Sequence, residues 1–235
     1  MQKIRSFIKD LLVYTFEKGI LKKPASILMY HSVGENKAFF NVRPEDFKWQ
    51  MNYLKEHNYN VISLRDFVDS KEKGNIPSRT VVITFDDGYE DNFSNAFRVL
   101  KDYNFPATIF LTTGRLATND YMNWAEIKEM HNSGLIDFEP HTVTHPKLSQ
   151  HKESIVLKEI RDSKQEIENN LSKECHFFAY PYGDYDEENL KVSQSLFKAA
   201  LTVKRGFVSK SDNMHELKRN SVDSLVGKQR FKLKI

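Results

Sequence analysis

Thr80-Val-Val-Ile-Thr-Phe-Asp-Asp-Gly88 is a run of β-branched and aromatic residues that ends on two adjacent carboxylates and a glycine. A run of this kind reads as a buried strand rather than a helix. Successive side chains of an extended chain point to opposite sides, so Asp86 and Asp87 can take different parts in one site only if the backbone turns there. Gly88 permits that turn. Alone, the stretch also reads as a solvated Asp-Asp-Gly turn. A second stretch, His141-Thr-Val-Thr-His145, supplies two imidazoles four residues apart and tips the reading toward a site.

Outward from this strand, strand and helix signals alternate about seven times. Upstream lie the apolar run Ser26-Ile-Leu-Met-Tyr30, a helix opened by Pro44 with Phe47, Met51 and Leu54 on one side, the short strand Val61-Ile-Ser63, and a loop marked by Gly74 and Pro77. Downstream, Phe93, Phe97 and Leu100 are spaced for one helical face, and Ala107-Thr-Ile-Phe-Leu111 is a strand. Residues 123–132 read as a helix that Gly134 ends, and Leu135-Ile-Asp-Phe138 leads to the two histidines. A long helix from Glu153 to Leu171, the strand from His176 to Tyr180, a helix near Asp186 to Leu196, the strand Ala199-Ala-Leu-Thr-Val203 and a segment around Leu217 to Val222 complete the chain. Such alternation favours parallel strands with crossover helices, and this count predicts an α/β barrel, complete or incomplete, with an open doubly wound sheet as the alternative. The absence of a G-x-G-x-x-G or G-x-x-x-x-G-K run removes the usual nucleotide-binding readings.

The chain has 235 residues and 40% hydrophobic content, enough for one large domain with a full core. A single cysteine, Cys175, excludes an intramolecular disulfide and fits a reducing compartment. The net charge of +3 comes without the dense Lys/Arg stripe of a nucleic-acid groove. Residues 1–24 alone carry +4, with Ile4, Phe7, Ile8, Leu11 and Leu12 at helical spacing. The longest uncharged run there, Leu11 to Phe16, is six residues, too short for a membrane span or a signal-peptide core. The expectation is an amphipathic basic segment over 1–24 preceding a single domain over 25–235, in a cytoplasmic protein. That helix packs on its own domain or lies on the anionic inner face of a membrane.

His31, Asp86 with Asp87, Thr112 with Thr113, His141 with His145, and Pro181 with Tyr182 each follow the end of an expected strand. In a parallel barrel those ends gather on one face, where active sites form. A catalytic divalent cation such as Zn²⁺ takes three protein ligands and keeps one position open, and His141, His145 and one aspartate make that set. A helical turn between Pro140 and Pro146 would put both rings on one face. His57, His131 and His151 read as solvated, and His176 has no assigned role.

Thr84-Phe-Asp-Asp-Gly88, His141-Thr-Val-Thr-His145 and Phe178-Ala-Tyr-Pro-Tyr-Gly183, in that order, resemble the first three motifs of the polysaccharide deacetylase family, the NodB-homology or carbohydrate esterase family 4 domain, over most of residues 25–223. The resemblance implies a distorted (β/α)₇ barrel and metal-dependent removal of an N- or O-acyl group from a sugar. It implies Asp86 as general base and Asp87, His141 and His145 as ligands of one divalent metal, most simply Zn²⁺. Two positions depart from the pattern. The third motif usually carries an arginine two residues before its proline, where this chain has Ala179; Arg219 is the candidate replacement. The usual C-terminal histidine motif is also missing. Leu28-Met-Tyr-His31 instead resembles the permuted members of the family, such as poly-N-acetylglucosamine deacetylases, which implies His31 as general acid, with His215 as alternative.

The resemblance further implies an oxyanion held by the backbone N–H of Tyr182, next to Pro181 and Tyr180. Tyr30, Tyr89, Trp124, Tyr180 and Tyr182 are candidates for stacking on sugar rings. The expected substrate is an amino sugar bearing an acetyl or formyl group, nucleotide-linked or lipid-linked, since the sequence shows no export signal. A noncatalytic glycan-binding or scaffold protein that keeps the fold is the competing reading.

Overall fold

The structure, a computed structural model, describes residues 25–36 and 38–235. The expected segment over 1–24, its boundary with the domain and any membrane contact through it lie outside the described residues. In chain order the elements are β1 (Ser26–Tyr30), β2 (Ser32–Val33), β3 (Asn41–Val42), α1 (Pro44–Glu56), β4 (Asn60–Val61), α2 (Leu64–Glu72), β5 (Thr80–Asp87), α3 (Phe97–Tyr103), β6 (Ala107–Leu111), α4 (Trp124–Asn132), β7 (Ile136–Pro140), α5 (Glu153–Leu171), β8 (Phe177–Ala179), α6 (Glu187–Leu196), β9 (Ala199–Arg205), β10 (Leu217–Ser221) and α7 (Lys228–Lys232).

Seven parallel strands in the order β7-β6-β5-β1-β10-β9-β8 form a nearly closed barrel, the distorted (β/α)₇ architecture that the sequence implies. β4 pairs with the first two residues of β5, and β6 pairs with the last four. The alternation is uneven. Two helices separate β1 from β5, and β9 reaches β10 through a loop with no helix. Before α3 the chain makes a π-helical turn, Asn92–Ala96, where a continuous α-helix is the sequence expectation. Such turns are frequent at functional sites.

Strand alternation sorts the core into two layers. Ile27, Val82, Phe110, Phe177, Ala179, Leu201 and Leu217 point into the barrel, where Leu64, Phe67 and Val68 of α2 pack against them. Their neighbours Leu28, Tyr30, Ile83, Phe85, Ile109, Phe138, Phe178 and Tyr180 point outward onto the apolar faces of α1, α3, α4 and α5. The apolar spacing of these helices is what lets each cover the sheet. Asn123 fixes the start of α4 by a capping box with Glu126. Among the described residues no helix is long and apolar enough to cross a membrane.

Candidate metal and catalytic centre

The strand ends open on a cavity of about 360 Å³ lined by His31, Asp86, Asp87, His141, His145 and Tyr182, with Phe40, Tyr89 and Arg115 on its wall. Asp86 belongs to the inward row of β5. Asp87 would face the helices if the strand simply continued. Left-handed backbone at Asp87 (φ +76°) and Gly88 (φ +86°) turns the chain and brings both carboxylates to the mouth. A Cβ at position 88 would also lie 2.7 Å from the Leu111 side chain, so glycine is required there on two counts.

The expected helical turn at His141–His145 does not form. Pro146 disfavours helical backbone at the residue before it, and His145 is left-handed (φ +62°), as is Thr142 (φ +70°). The loop closes when the His145 N–H donates to Thr142 Oγ1 at 3.0 Å, and Glu159 of α5 accepts from the N–H groups of Val143 and Thr144. The rings still converge, with centroids 4.8 Å apart.

Asp87 Oδ1 lies 3.8 Å from His141 Nε2 and 3.3 Å from His145 Nε2. Among the described residues these three alone form a cluster of potential ligands, their atoms all within 4.8 Å of one another. Burial lowers the pKa of both histidines, that of His145 to about 4. Both rings are therefore neutral at pH 7. His141 Nδ1 donates to the Ala179 carbonyl at 2.7 Å, so its Nε2 presents a lone pair. Asp87 Oδ1, facing that lone pair, is buried without a hydrogen-bond partner. Two neutral imidazoles, one with its Nε2 lone pair held toward the carboxylate, and an orphaned carboxylate oxygen at this spacing fit a divalent transition metal.

Beside the cluster, Arg219 of β10 makes a bidentate pair with Asp86, both contacts 2.7 Å, with Arg219 1% and Asp86 2% exposed. Its Nε donates to the Thr202 carbonyl at 2.9 Å, and the guanidinium lies over the Phe110 ring. Burial alone would raise the Asp86 pKa, but the charge and hydrogen bonds of Arg219 hold the carboxyl at about 2.

His31 follows β1 at the mouth, its ring 5.7 Å from that of Phe40. Sequence reasoning missed what holds its loop. Asn92 donates to the His31 carbonyl at 2.7 Å, Asn95 to that of Val33 at 2.8 Å, and Asp91 accepts from Ser32, so the π-helical turn clamps the segment after β1. Arg115, also missed, lines the cavity and donates to the Tyr121 hydroxyl at 3.0 Å. A buried polar residue such as Asn92, whose partner lies 61 positions away, carries no local sequence signal.

Several expected positions lie elsewhere. Tyr180 follows the inward Ala179 and so points outward; it is buried, its hydroxyl sharing a hydrogen bond with Ser193 and donating to the His215 carbonyl. Tyr30 is outward for the same reason and donates to Gln50, and Trp124 packs on the outer core. Pro181 is buried and is not among the residues that line the cavity. His215 sits beside Ser193, 3.3 Å from its hydroxyl, and does not line the cavity. Tyr182 does: left-handed at φ +58° and 57% exposed, it sets its ring 4.4 Å from that of His145.

The sequence model of the polysaccharide deacetylase family matches residues 73–199. The family relative YxkH of Bacillus subtilis is 32% identical over 202 residues, covering 84% of this chain and 72% of the relative. The poly-beta-1,6-N-acetyl-D-glucosamine N-deacetylase of Staphylococcus epidermidis is 34% identical over 166 residues, covering 65% of this chain and 57% of that protein, so the chain spans little more than half the length of that relative. Among solved structures, Streptococcus pyogenes deacetylase PplD in complex with acetate superposes with a TM-score of 0.84 at 26% identity, over 91% of this chain and 99% of PplD. IcaB from Ammonifex degensii, at 22% identity and a TM-score of 0.82 over 90% of this chain and 97% of that one, shares the fold.

Proposed function

This chain belongs to the polysaccharide deacetylase family, and on that premise we propose that it is a metal-dependent hydrolase that removes the N-acetyl group from an amino sugar within a glycan. The observation that carries the proposal is the buried Asp86–Arg219 pair set beside the Asp87–His141–His145 cluster in one cavity. A binding module needs no carboxylate held charged by a bidentate arginine beside an orphaned ligand set, which favours catalysis over the scaffold reading. The names of the staphylococcal relatives favour acetyl over formyl and a polymer over nucleotide-linked or lipid-linked sugars.

In this reading Asp87, His141 and His145 hold the metal, most simply Zn²⁺, which when bound acidifies water and polarises an acyl carbonyl. The acidification matters, because a carboxylate held at about 2 is a weak base toward ordinary water. Asp86 accepts the proton as the water attacks, and Arg219 fixes the carboxylate's orientation. The backbone N–H of Tyr182 donates to the developing oxyanion. His31, which lines the same cavity, gives a proton to the departing amine. Phe40, Tyr89 and the exposed Tyr182 ring supply the apolar faces against which a pyranose packs.

The test is acetate release from oligomers of β-1,6-linked N-acetylglucosamine by zinc-loaded protein. Release by the wild type and its loss in Asp86→Asn, with zinc still bound at one per chain, supports the assignment. An Asp86→Asn variant as active as the wild type overturns it.

A further inference from the structure

The barrel has an open seam. The ladder of strand pairing runs from β7 to β8 the long way round, and these two end strands share no backbone pairing. Backbone groups at a buried strand edge still need partners. Here side chains provide them. Glu139 of β7, fully buried, accepts through Oε2 from the N–H groups of His176 and Phe177, both at 2.9 Å. Two residues further on, His141 donates from Nδ1 to the carbonyl of Ala179 at 2.7 Å.

Positions 139 and 141 fall in the same row of an extended chain. That row therefore reads along β8 as a backbone edge would, contacting residues 176, 177 and 179 in turn. Lys173 ties the junction from below. Its ammonium donates to the Phe138 carbonyl at 2.6 Å and to Glu139 Oε1 at 3.2 Å, and it pairs with Asp137. All three acceptors belong to β7, and Lys173 stands four residues ahead of β8, so the pair sets where β8 begins relative to β7.

The consequence reaches the reaction cavity. Among the described residues Ala179 O is the only hydrogen-bond partner of the His141 ring, and it fixes which ring nitrogen faces Asp87. If β8 slides or withdraws, His141 loses both its tautomer lock and its ring orientation. We propose that Glu139, braced by Lys173, is a positioning residue that acts through the β7–β8 seam to hold Ala179 against His141 and so sets the metal affinity of the centre. The inference rests on the metal-site reading of Asp87, His141 and His145. Glu139 touches neither that cluster nor the cavity, so its effect is transmitted and not direct.

The experiment compares full-length wild type, Glu139→Ala, Glu139→Gln/Lys173→Met and, as a control for simple destabilisation, Leu54→Ala, a cavity variant in the α1 layer far from the seam. Two readouts are taken on the folded protein. One is the imidazole ¹⁵N spectrum of the metal-free form, which reports whether His141 carries its proton on Nδ1. The other is zinc affinity by competition with a chromophoric chelator. Glu139→Ala is expected to lose the Nδ1–H signal and to bind zinc about 10–100-fold more weakly, the range found when outer partners of ligand histidines are removed. Glu139→Gln/Lys173→Met keeps an acceptor for the β8 N–H groups without a buried charge, and retains zinc affinity closer to wild type; should Glu139→Ala fail to fold, this variant decides by comparison with Lys173→Met alone. Leu54→Ala loses thermal stability and keeps both readouts. Wild-type tautomer and zinc affinity within twofold in folded Glu139→Ala overturn the proposal. A wild type that binds no zinc overturns the metal-site reading instead, and the tautomer readout still decides the role of Glu139.

Discussion

Replacing Arg219 with methionine removes the cation from a nearly fully buried carboxylate. Asp86 is 2% exposed and spends both oxygens on Arg219. Holding its pKa at about 2 instead of the ordinary 3.8 is worth about 2–3 kcal/mol at ~1.4 kcal/mol per tenfold in proton affinity. Thr202 O also loses its buried donor, a further ~1 kcal/mol. Together these fall in the ~3–5 kcal/mol range for breaking one half of a buried ion pair. The sign follows from linkage. A depressed carboxyl pKa stabilises the native state above 3.8, and the contribution fades as pH falls through about 2. In Arg219→Met the main opposition to burial is gone and the Asp86 pKa rises, so the stability gap between variant and wild type is widest above that raised pKa and narrows as pH falls through it toward 2. Urea denaturation from pH 2 to 7 measures both curves, and Asp86→Asn/Arg219→Met should recover part of the loss. A gap under ~1 kcal/mol at pH 7, or one of constant size across that range, would refute this account. The acid limb of kcat/KM should shift to higher pH in the same variant, because its base now protonates sooner.

His31→Gln should lower kcat by about 10²–10⁴ with zinc content unchanged, and loss of zinc in that variant would mean that His31 is a ligand. Stripping the metal with a chelator should abolish acetate release and lower the melting temperature, and zinc at 100 times its Kd should restore ~2.7 kcal/mol, measurable by calorimetry. Gly183→Ala should cost about 1–3 kcal/mol in denaturant titration, since residue 183 is left-handed (φ +66°) and a Cβ there would lie 2.4 Å from Val203 Cγ2.

The parts of the site legible in sequence are those whose chemistry is local. Asp86-Asp87-Gly88 announces a strand end with a turn, and His141 with His145 announces a ligand pair, because each motif fits within five residues. The parity of a strand is also local, and it explains why Tyr180 and Tyr30 belong to the outer core: each is one residue away from an inward position, and a shift of one reverses the face. The conformation of the His141–His145 loop was harder to read, since residue spacing alone suggests a helical turn and only Pro146 argues against it. What sequence could not supply is the set of partners brought in by closure of the barrel. Asn92 reaches the His31 carbonyl across 61 positions, and Glu139 reaches the N–H groups of His176 and Phe177 across 37 and 38. No periodicity or spacing rule spans such distances.

The arginine illustrates how one physical need is met from a different strand. The family pattern places it two residues before the proline of the third motif, on β8, where this chain has Ala179. In the nearly closed barrel every strand presents an inward row to the same small volume, so a guanidinium from β10 reaches Asp86 as one from β8 would. Here it crosses 133 positions of sequence to do so. The exchange suits the seam. β8 is an end strand tied to β7 by side chains, whereas β10 is paired on both sides, with β1 and β9, and offers firmer backing for a group that must stay buried. Phe110 packs beneath the guanidinium plane, and Thr84 and Thr202 bracket it. With the arginine moved to β10, position 179 contributes its carbonyl alone, and that carbonyl orients His141. The departure from the family pattern thus divides between two strands what the motif assigns to one: β10 sets the charge of Asp86, and β8 sets the orientation of His141.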